Sequence, residues 1–542
     1  MSSVGDLISG MQPATVVATA MFVMVVGGLC LQFVLFSVKY PANLPLVSEL
    51  PGKRHFTWRT RWKYMTDCEN LYREAYEKFS KCGKTVLVPG LGFRNETILP
   101  QSAMKWLLAQ PKTSLSPPQA IVELNQFGYS LGDDKYGADA WIGHVVRSNI
   151  NAALERICGD MNQELQCAFE TRLGTDENNW KELNLLDTVR LVVAQAASRF
   201  TVGLPLCRDE QYLIDCIKIG DSLVTSGGLT GGTPKPWRSL VGLLVSWFMK
   251  PQIERIKKHV RPTYFERLDI LKSNPEDPGH SEPEDFFQMM MRFAQKERPD
   301  EVGDFDTICR RLIVANFGTM HNTAFQVANL VLNIISSDGE FNTISMLRNE
   351  FSAVLGKDGD VDGQGWTKAK VSSLTKADSV ARETLRLDSF GNRFQFRKVL
   401  VDHVVTENGI RLPKGALVSM LGHPAHRDAE FLEDPDKYDP FRFSRAREAA
   451  TDANGKPGLP KLTFVGTGPQ HLPWGHGKHA CPGRFLVDFE LKMIMAYLLQ
   501  NYDVEFPPEY EEKRPPTYWV AEAAFPPAGA RIRIKRRPGT TK

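Results

Sequence analysis

The chain has almost no net charge for its 542 residues, since 66 Lys and Arg side chains nearly balance 63 Asp and Glu, giving +3. A protein that binds nucleic acid by neutralising phosphates needs a larger basic excess, so that class is excluded. Cysteine is also scarce. The nine cysteines form no C-x-x-C pair and no disulfide-like spacing, which indicates a reducing compartment. Small molecules and membranes are the better partner candidates.

Long flexible linkers, internal repeats and low-complexity blocks are absent as well. With 42% hydrophobic residues, the chain can bury a large core, which excludes wholesale disorder. Apolar residues recur mostly at helical spacing, so we expect a mainly α fold with small β-sheets. The clearest predicted helices are 183–200, 305–336, 372–387 and 485–500, and the predicted strands are 85–88, 97–99, 416–420 and 531–535.

Charged residues are missing between Asp6 and Lys39, and this gap holds the apolar run 14–38. The run is long enough to cross a bilayer as a helix, although a buried hydrophobic helix is the alternative. Basic residues follow it, so the positive-inside rule places the body of the protein in the cytoplasm. The predicted segments are a short luminal N-terminus (1–13), a transmembrane anchor (14–38), a Pro-rich hinge (39–52) and one catalytic domain (53–542).

A Gly- and His-rich loop, residues 472–489 (LPWGHGKHACPGRFLVDF), places Cys481 just before an apolar helix. Glycines let a backbone approach a flat ligand closely, and the free amides of a helix N-terminus stabilise negative sulfur. A thiolate in this position suits a haem iron that must split dioxygen. Two other interpretations stay open: a buried structural cysteine, or a zinc site formed by His471, His476, His479 and Cys481.

The segment 474–483, WGHGKHACPG, resembles the haem-binding loop F-x-x-G-x-R-x-C-x-G of the cytochrome P-450 superfamily. Trp474 takes the usual Phe position and His479 the usual Arg position. The resemblance implies haem b, with Cys481 as the axial ligand of the iron and with Trp474 and Gly475 in the loop around it. It also implies the cytochrome P-450 fold, a large single domain that is mainly α with small β-sheets, here preceded by an N-terminal transmembrane helix.

Further family motifs follow in the expected order. Glu383 and Arg386 resemble the E-x-x-R pair, and Arg442 the third member of that structural ion-pair group. The E-x-x-R spacing alone is weak evidence, because Glu511 to Arg514 fits it too. In the family, Arg and His side chains hold the haem propionates. The candidates for that role here are His479, Arg397, Arg147 and His144, the last with a plain helix-face histidine as its alternative.

The helix that crosses the distal haem face in this family carries (A/G)-G-x-(D/E)-T-T, which matches residues 318–323 here, beginning at Gly318. His321 replaces the acid and Asn322 the first Thr, while Thr323 keeps a hydroxyl. We expect these three side chains to handle water and protons, because imidazole titrates near neutral pH and an amide can hold a water molecule. The alternative is that they are polar faces of a buried helix.

By family position, the substrate contacts are aromatic or apolar, so a bulky lipophilic small molecule is expected. The candidates are Phe317, Thr319, Phe390, Phe394, Trp519 and the loop 117–136. The resemblance implies a fungal monooxygenase of terpenoid, indole-diterpenoid or polyketide biosynthesis, at the endoplasmic reticulum membrane with its catalytic domain in the cytoplasm. The alternative is desaturation, ring closure, coupling or redox-neutral rearrangement on the same scaffold.

No flavin or nicotinamide motif occurs in the chain, so the resemblance implies that NADPH acts through a separate cytochrome P-450 reductase. A cytochrome b-type donor is a second candidate partner. Lys478, Arg484 and Lys492 lie near the Cys481 loop in sequence and are candidates to dock an acidic reductase surface, with ordinary solvated charges as the alternative.

Overall fold

A computed structural model describes residues 13–273, 282–356, 366–450 and 462–539. Within these ranges most residues are helical. The helices are α1 Pro13–Leu31, α2 Trp58–Thr66, α3 Cys68–Ala75, α4 Met104–Ala109, α5 Pro117–Asn125, α6 Phe127–Ser130, α7 Lys135–Ala138, α8 Ile142–Leu173, α9 Leu185–Thr201, α10 Glu210–Gly232, α11 Lys235–Lys272, α12 Phe286–Glu297, α13 Pro299–Val302, α14 Phe305–Asn316, α15 Asn322–Phe341, α16 Thr343–Leu355, α17 Lys368–Ser373, α18 Thr375–Leu387, α19 Arg442–Ala449 and α20 Arg484–Asn501. Single π-helical turns cover Gln32–Phe36, Tyr76–Ser80 and Phe317–His321.

Four small sheets accompany the helices in the described ranges, the largest with five strands in the order β1-β2-β8-β5-β3. The others pair β4-β12-β9, β10-β11 and β6-β7. The strands are β1 Val86–Pro89, β2 Asn95–Ile98, β3 Leu115–Ser116, β4 Lys181–Asn184, β5 Arg393–Val399, β6 His403–Val405, β7 Arg411–Pro413, β8 Leu417–Leu421, β9 Tyr502–Glu505, β10 Tyr518–Val520, β11 Ala523–Phe525 and β12 Arg531–Arg536. The expectation of a mainly α chain with small sheets is confirmed.

The main hydrophobic core lies among the long helices. The continuous helix formed by α14, the π-turn 317–321 and α15 packs against α9, α10 and α18. Helix α20 is buried on nearly all sides, and even its charged residues Glu490 and Lys492 are buried. The sequence led us to expect charged residues of α20 at a docking surface, and for Lys492 this is wrong, because its side chain is only 2% exposed.

The segment predicted as a hinge packs against the body of the protein. Val47 donates a backbone hydrogen bond to Leu87 at 3.1 Å, and Leu44, Leu46 and Val47 are buried with β1. The predicted luminal stretch lies outside the described residues except for Pro13. No helix in the described part of the chain is long and apolar enough to cross a membrane.

Several predicted boundaries are wrong. Residues 183–184 belong to β4, which pairs with β12, and α9 begins only at Leu185, where Asn184 accepts a capping hydrogen bond from the Asp187 amide. The predicted helix 372–387 is broken at Leu374, which separates α17 from α18. The predicted loop 117–136 contains α5 and α6 and the start of α7, because Ser116 caps α5 and prolines occupy its first turn.

Candidate active site

The loop before α20 is shaped by two glycines and by two hydrogen bonds. Gly475 and Gly477 have φ of 69° and 71°, a left-handed conformation that other residues adopt at a cost. The Cys481 amide donates to the carbonyl of Trp474 at 2.7 Å, and the Trp474 indole donates to the carbonyl of Phe464 at 2.8 Å. The loop therefore closes on itself and presents Cys481 at its end.

Helix α20 begins at Arg484, one residue before the start of the predicted helix 485–500. Burial raises the pKa of the Cys481 thiol, while the amides of Gly483 and Arg484 and the Arg484 guanidinium act in the opposite direction. In the absence of metal the protonated thiol is thus the favoured form. A coordinated metal ion deprotonates such a thiol, and the two amides then stabilise the thiolate.

Arg397 is a buried cation that lacks an acidic partner among the described residues. Its side chain is 5% exposed, and burial lowers its pKa to about 10. Its hydrogen bonds go to neutral oxygens, with Nη1 donating to the Phe396 carbonyl at 2.8 Å and Nη2 to Gln395 Oε1 at 3.1 Å. A buried charge without a counterion is costly, so this position suits an anionic ligand.

More positive charge surrounds His479. Burial, together with the positive charges of Arg397, Lys112, Lys478 and Arg147, lowers its pKa to about 4. Lys112 was not predicted from the sequence, because no motif in the neighbouring residues indicates a role for it. It lies three residues before β3, far from the loop in sequence, and its charge acts on His479 only because the folded chain brings the two together.

His144, by contrast, is exposed and lies against Phe293, with ring centroids 5.7 Å apart. Among the described residues, no contact joins it to His479 or Arg397. The same ranges contain no group of three His, Cys, Asp or Glu side chains that could hold a metal ion, so the zinc interpretation has no support there.

The residues present fit a haem. Cys481 offers one thiolate ligand at the end of the loop that the two glycines shape, and the cations around His479 match the two carboxylates of haem b. Arg397, Lys112, Arg147 and His479 would hold those propionates.

The predicted distal motif coincides with the π-turn Phe317–His321. Single π-turns inside α-helices occur frequently at functional sites. Gly318 borders open space, since no atom lies within 4 Å of where its side chain would begin. Thr319 bonds back to its own helix, with Oγ1 donating to the Ala315 carbonyl at 3.1 Å.

Beyond the π-turn, the two remaining residues of the predicted relay differ in their exposure. The side chain of Asn322 is exposed and that of Thr323 is buried. The structure therefore leaves the amide of Asn322 accessible to a water molecule and encloses the hydroxyl of Thr323.

His321 is buried between aromatic rings. Its ring centroid lies 5.6 Å from that of Phe317 and 4.7 Å from that of Phe325. Nδ1 lies 3.6 Å from Oδ1 of Asp221 on α10. Burial lowers the pKa of His321 to about 4, Asp221 acts to raise it and Arg190 to lower it. The imidazole is therefore neutral near pH 7.

Of the predicted substrate contacts, Phe390 joins an aromatic cluster next to His321. Its centroid lies 5.8 Å from that of Phe325 and 5.2 Å from that of Phe525. Sequence reasoning missed Phe325 and Phe525, which lie one helical turn after His321 and on β11.

Phe394 and Trp519 lie elsewhere. Phe394 packs on Gly422, with its ring 5.9 Å from His426, and Trp519 makes an edge contact with His423 at 5.0 Å. The structure does not bring either side chain to the cluster around Phe390, because Phe394 follows β5 into the large sheet and Trp519 alternates to the opposite face of β10 from Tyr518.

The structure joins the three predicted structural residues. Glu383 accepts two hydrogen bonds from Arg386, both at 2.7 Å, and one from Arg442 at 3.3 Å. Glu383 and Arg386 are fully buried. The competing pair does not form: Arg514 lies against Asp388 instead of Glu511.

Comparison with known proteins decides the family, since the sequence profile named Cytochrome P450 matches residues 145–533. The chain belongs to the cytochrome P450 family. It is 55% identical over 505 residues to the cytochrome P450 monooxygenase astC of Aspergillus terreus, covering 93% of each chain. Identity to the cytochrome P450 monooxygenase pbrC of Penicillium brasilianum is also 55%, with the same coverage. The cytochrome P450 monooxygenase tenB of Beauveria bassiana is 44% identical, covering 92% of each chain.

Membership of the P450 family confirms the predicted enzyme class, a haem-thiolate monooxygenase that receives NADPH-derived electrons through a reductase. It also confirms haem as the cofactor.

Proposed function

We propose that this P450 oxidises a bulky lipophilic small molecule in fungal natural-product biosynthesis, by hydroxylation or by several successive oxidations. One observation carries the substrate class: His321 shares its surroundings with the aromatic cluster of Phe317, Phe325, Phe390 and Phe525. An apolar aromatic lining favours a lipophilic ligand. The similarity to astC, pbrC and tenB supports a fungal setting.

In this proposal each residue has a distinct task. Cys481 ligates the haem iron, which when bound supplies the activation of dioxygen. Arg397, His479, Arg147 and Lys112 hold the propionates. His321, Asn322 and Thr323 hold water and move protons at the distal side, where Gly318 leaves open space. Glu383, Arg386 and Arg442 only hold the fold.

The electron donor is an NADPH-cytochrome P450 reductase, with a cytochrome b-type protein as a second donor. Lys478 and Arg484 flank the Cys481 loop and remain candidates for docking it, whereas Lys492 is buried. We further propose a single-pass anchor at residues 14–38 and an endoplasmic reticulum location. The apolar sequence of that run and the basic residues after it support this placement.

A second reaction class follows from His321 and Asn322. The acid and first alcohol of the family motif are both absent, and the imidazole is neutral near pH 7. A reaction that makes smaller demands on proton delivery fits this arrangement, such as desaturation, ring closure, coupling or redox-neutral rearrangement.

The haem ligand is tested by absorption spectra of the dithionite-reduced protein with and without carbon monoxide. We expect a strongly red-shifted Soret band in the wild type and in Cys82→Ala, a matched control at an exposed cysteine. Cys481→Ala should lack the band. Its persistence in Cys481→Ala, or its absence in folded wild type, would contradict the assignment.

The reaction class is tested by turnover of lipophilic terpenoid, indole-diterpenoid and polyketide candidates with and without reductase and NADPH. Oxygen-18 from dioxygen should appear in the product of an oxygen-inserting enzyme. Turnover without reductase would instead identify the redox-neutral alternative, and reductase-dependent turnover without label would identify desaturation or coupling.

A further inference from the structure

We propose that Asp221, on α10, orients the imidazole of His321 and supplies the carboxylate that the distal helix itself lacks. The inference rests on the proposed role of His321 in proton handling. Asp221 and His321 are 100 positions apart in sequence and on different helices, so no sequence motif joins them. Only the packing of α10 against the π-turn brings them together.

Gly220 of α10 lies beside the ring of His321. A Cβ at this position would be in ordinary van der Waals contact with Nδ1 of His321, at 3.5 Å, so the backbone of α10 runs directly alongside the imidazole. The next residue, Asp221, then places Oδ1 3.6 Å from Nδ1. This distance is within ion-pair range and slightly longer than a hydrogen bond. Catalytic hydrogen bonds are often long in ligand-free structures and shorten in the loaded enzyme.

Arg190 of α9 forms an ion pair with the same carboxylate oxygen that faces His321. Its Nη2 contacts Oδ1 of Asp221, and its guanidinium lies 5.9 Å from the ring of Phe325. Arg190 and Asp221 are the charged groups that face His321, and the rings of Phe317 and Phe325 complete its surroundings. Asp221 therefore has a defined position although its side chain is 44% exposed.

A carboxylate opposite Nδ1 selects one tautomer of the imidazole. Nδ1 carries the hydrogen and donates toward Asp221, which leaves Nε2 with a free electron pair. Nε2 can then accept a proton from a water molecule and return it, while the Nδ1 hydrogen stays in place and Asp221 remains ionised. The negative charge of Asp221 stabilises the transient imidazolium, as in other Asp–His pairs.

This arrangement makes Asp221 a positioning residue, and its test needs a readout that a purely structural role would not move. The full-length haem-loaded protein is labelled with nitrogen-15 histidine, and the two ring nitrogens of His321 are assigned in the diamagnetic ferrous carbon monoxide complex. We expect the hydrogen on Nδ1 in the wild type. In Asp221→Asn the amide group can donate to Nδ1, so the hydrogen should move to Nε2.

The pKa of His321 provides a second test, because two variants should shift it in opposite directions and structural damage would not reproduce that pattern. Arg190→Gln removes a positive charge next to His321 and should raise its pKa, whereas Asp221→Asn should lower it. Glu210→Gln is the matched control, because it makes the same chemical change on α10 at an ion pair with Arg172. It should leave both tautomer and pKa unchanged.

The amount of product formed per NADPH consumed tests whether the orientation of His321 matters for catalysis. Asp221→Asn should lower product formed per NADPH by about 100-fold, the lower end of the range attributed to positioned proton transfer, and Glu210→Gln should not. An unchanged tautomer in Asp221→Asn would overturn the proposal. So would shifts of the His321 pKa that have the same sign in Arg190→Gln and Asp221→Asn. A switched tautomer with full coupling in both Asp221→Asn and His321→Ala would support the orientation by Asp221 and refute the proposed proton role of His321.

Discussion

Nζ of Lys492 lies 2.9 Å from Oδ1 of Asp378, and both side chains are buried. The pair connects α20, which follows the Cys481 loop, to α18, which carries Glu383. The other carboxylate oxygen, Oδ2 of Asp378, accepts a hydrogen bond from the Phe464 amide at 2.9 Å. This pair therefore joins both helices to the segment on which Trp474 packs.

Lys492→Met should destabilise the protein strongly. It leaves Asp488 without its ion-pair partner and Asp378 with Arg447 alone, and breaking a buried ion pair costs about 3–5 kcal/mol. The free energy of unfolding from urea denaturation is the measurement, with Lys478→Met on the loop before α20 as control. A loss below about 1 kcal/mol, the size of an exposed pair, would show that Lys492 is solvated in solution.

Glu383→Gln should lower the yield of folded, haem-containing protein. It removes the charge that Arg386 and Arg442 share inside the fold, at a cost of about 3–5 kcal/mol. Haem content per chain and the urea midpoint measure the effect. Glu511→Gln is a matched control, because it alters the other E-x-x-R sequence at an exposed glutamate that does not pair with Arg514. Equal effects of the two changes would refute the structural role of Glu383.

Stability should fall as pH rises because of Glu490. Burial raises its pKa from 4.5 to about 8, and Oε1 has no hydrogen-bond partner among the described residues. Between these two values the unfolded chain releases the proton while the folded chain keeps it, so the folded state loses stability with increasing pH, by about 1.4 kcal/mol per pH unit at most.

Glu490→Gln removes this dependence. We expect urea midpoints close to wild type at pH 5 and higher than wild type at pH 8, with Glu505→Gln, on the neighbouring strand β9, tracking the wild type throughout. A variant that is no more stable at pH 8 would mean that Glu490 ionises in the folded protein at its ordinary pKa.

Arg397→Gln and Lys112→Gln should each speed the loss of haem. Both remove a cation from the group around His479, and loss of a supporting contact typically costs about 10–100-fold in affinity at metal sites. The rate of haem transfer to apomyoglobin measures the change. Arg411→Gln, at an exposed arginine of β7, should match the wild type. Unchanged transfer in Arg397→Gln would exclude propionate binding by that residue.

Local sequence was sufficient for the Cys481 loop and the E-x-x-R pair, because their partners lie within a few residues or occur in a fixed order. It was insufficient where partners come from distant elements. Lys112 joins the cations near His479 only in the folded chain, and Asp221 reaches His321 only through helix packing. Lys492 resembled a surface lysine because Asp488, at i,i+4 spacing, is the kind of partner that exposed helical lysines have, while Asp378 lies on a distant helix.

The sequence also did not predict the direction in which individual side chains point. Phe390 and Phe394 lie close in sequence, yet a strand starts between them and sends Phe394 into the sheet. Tyr518 and Trp519 are neighbours on one strand and so point to opposite faces. Family position gave the correct segments, but it did not say which side chain in each segment faces the cluster around Phe390.

The π-turn Phe317–His321 also determines the direction in which side chains of the long distal helix point after the turn. A π-turn closes its hydrogen bond over one residue more than an α-turn, so everything after it is rotated by about 100° relative to an uninterrupted α-helix. Removing one residue from this turn would restore a regular helix but redirect Asn322, Thr323 and the whole of α15. The number of residues in this π-turn is therefore under tighter constraint than their identity. Single-residue insertions or deletions in the turn should be tolerated far less well than substitutions.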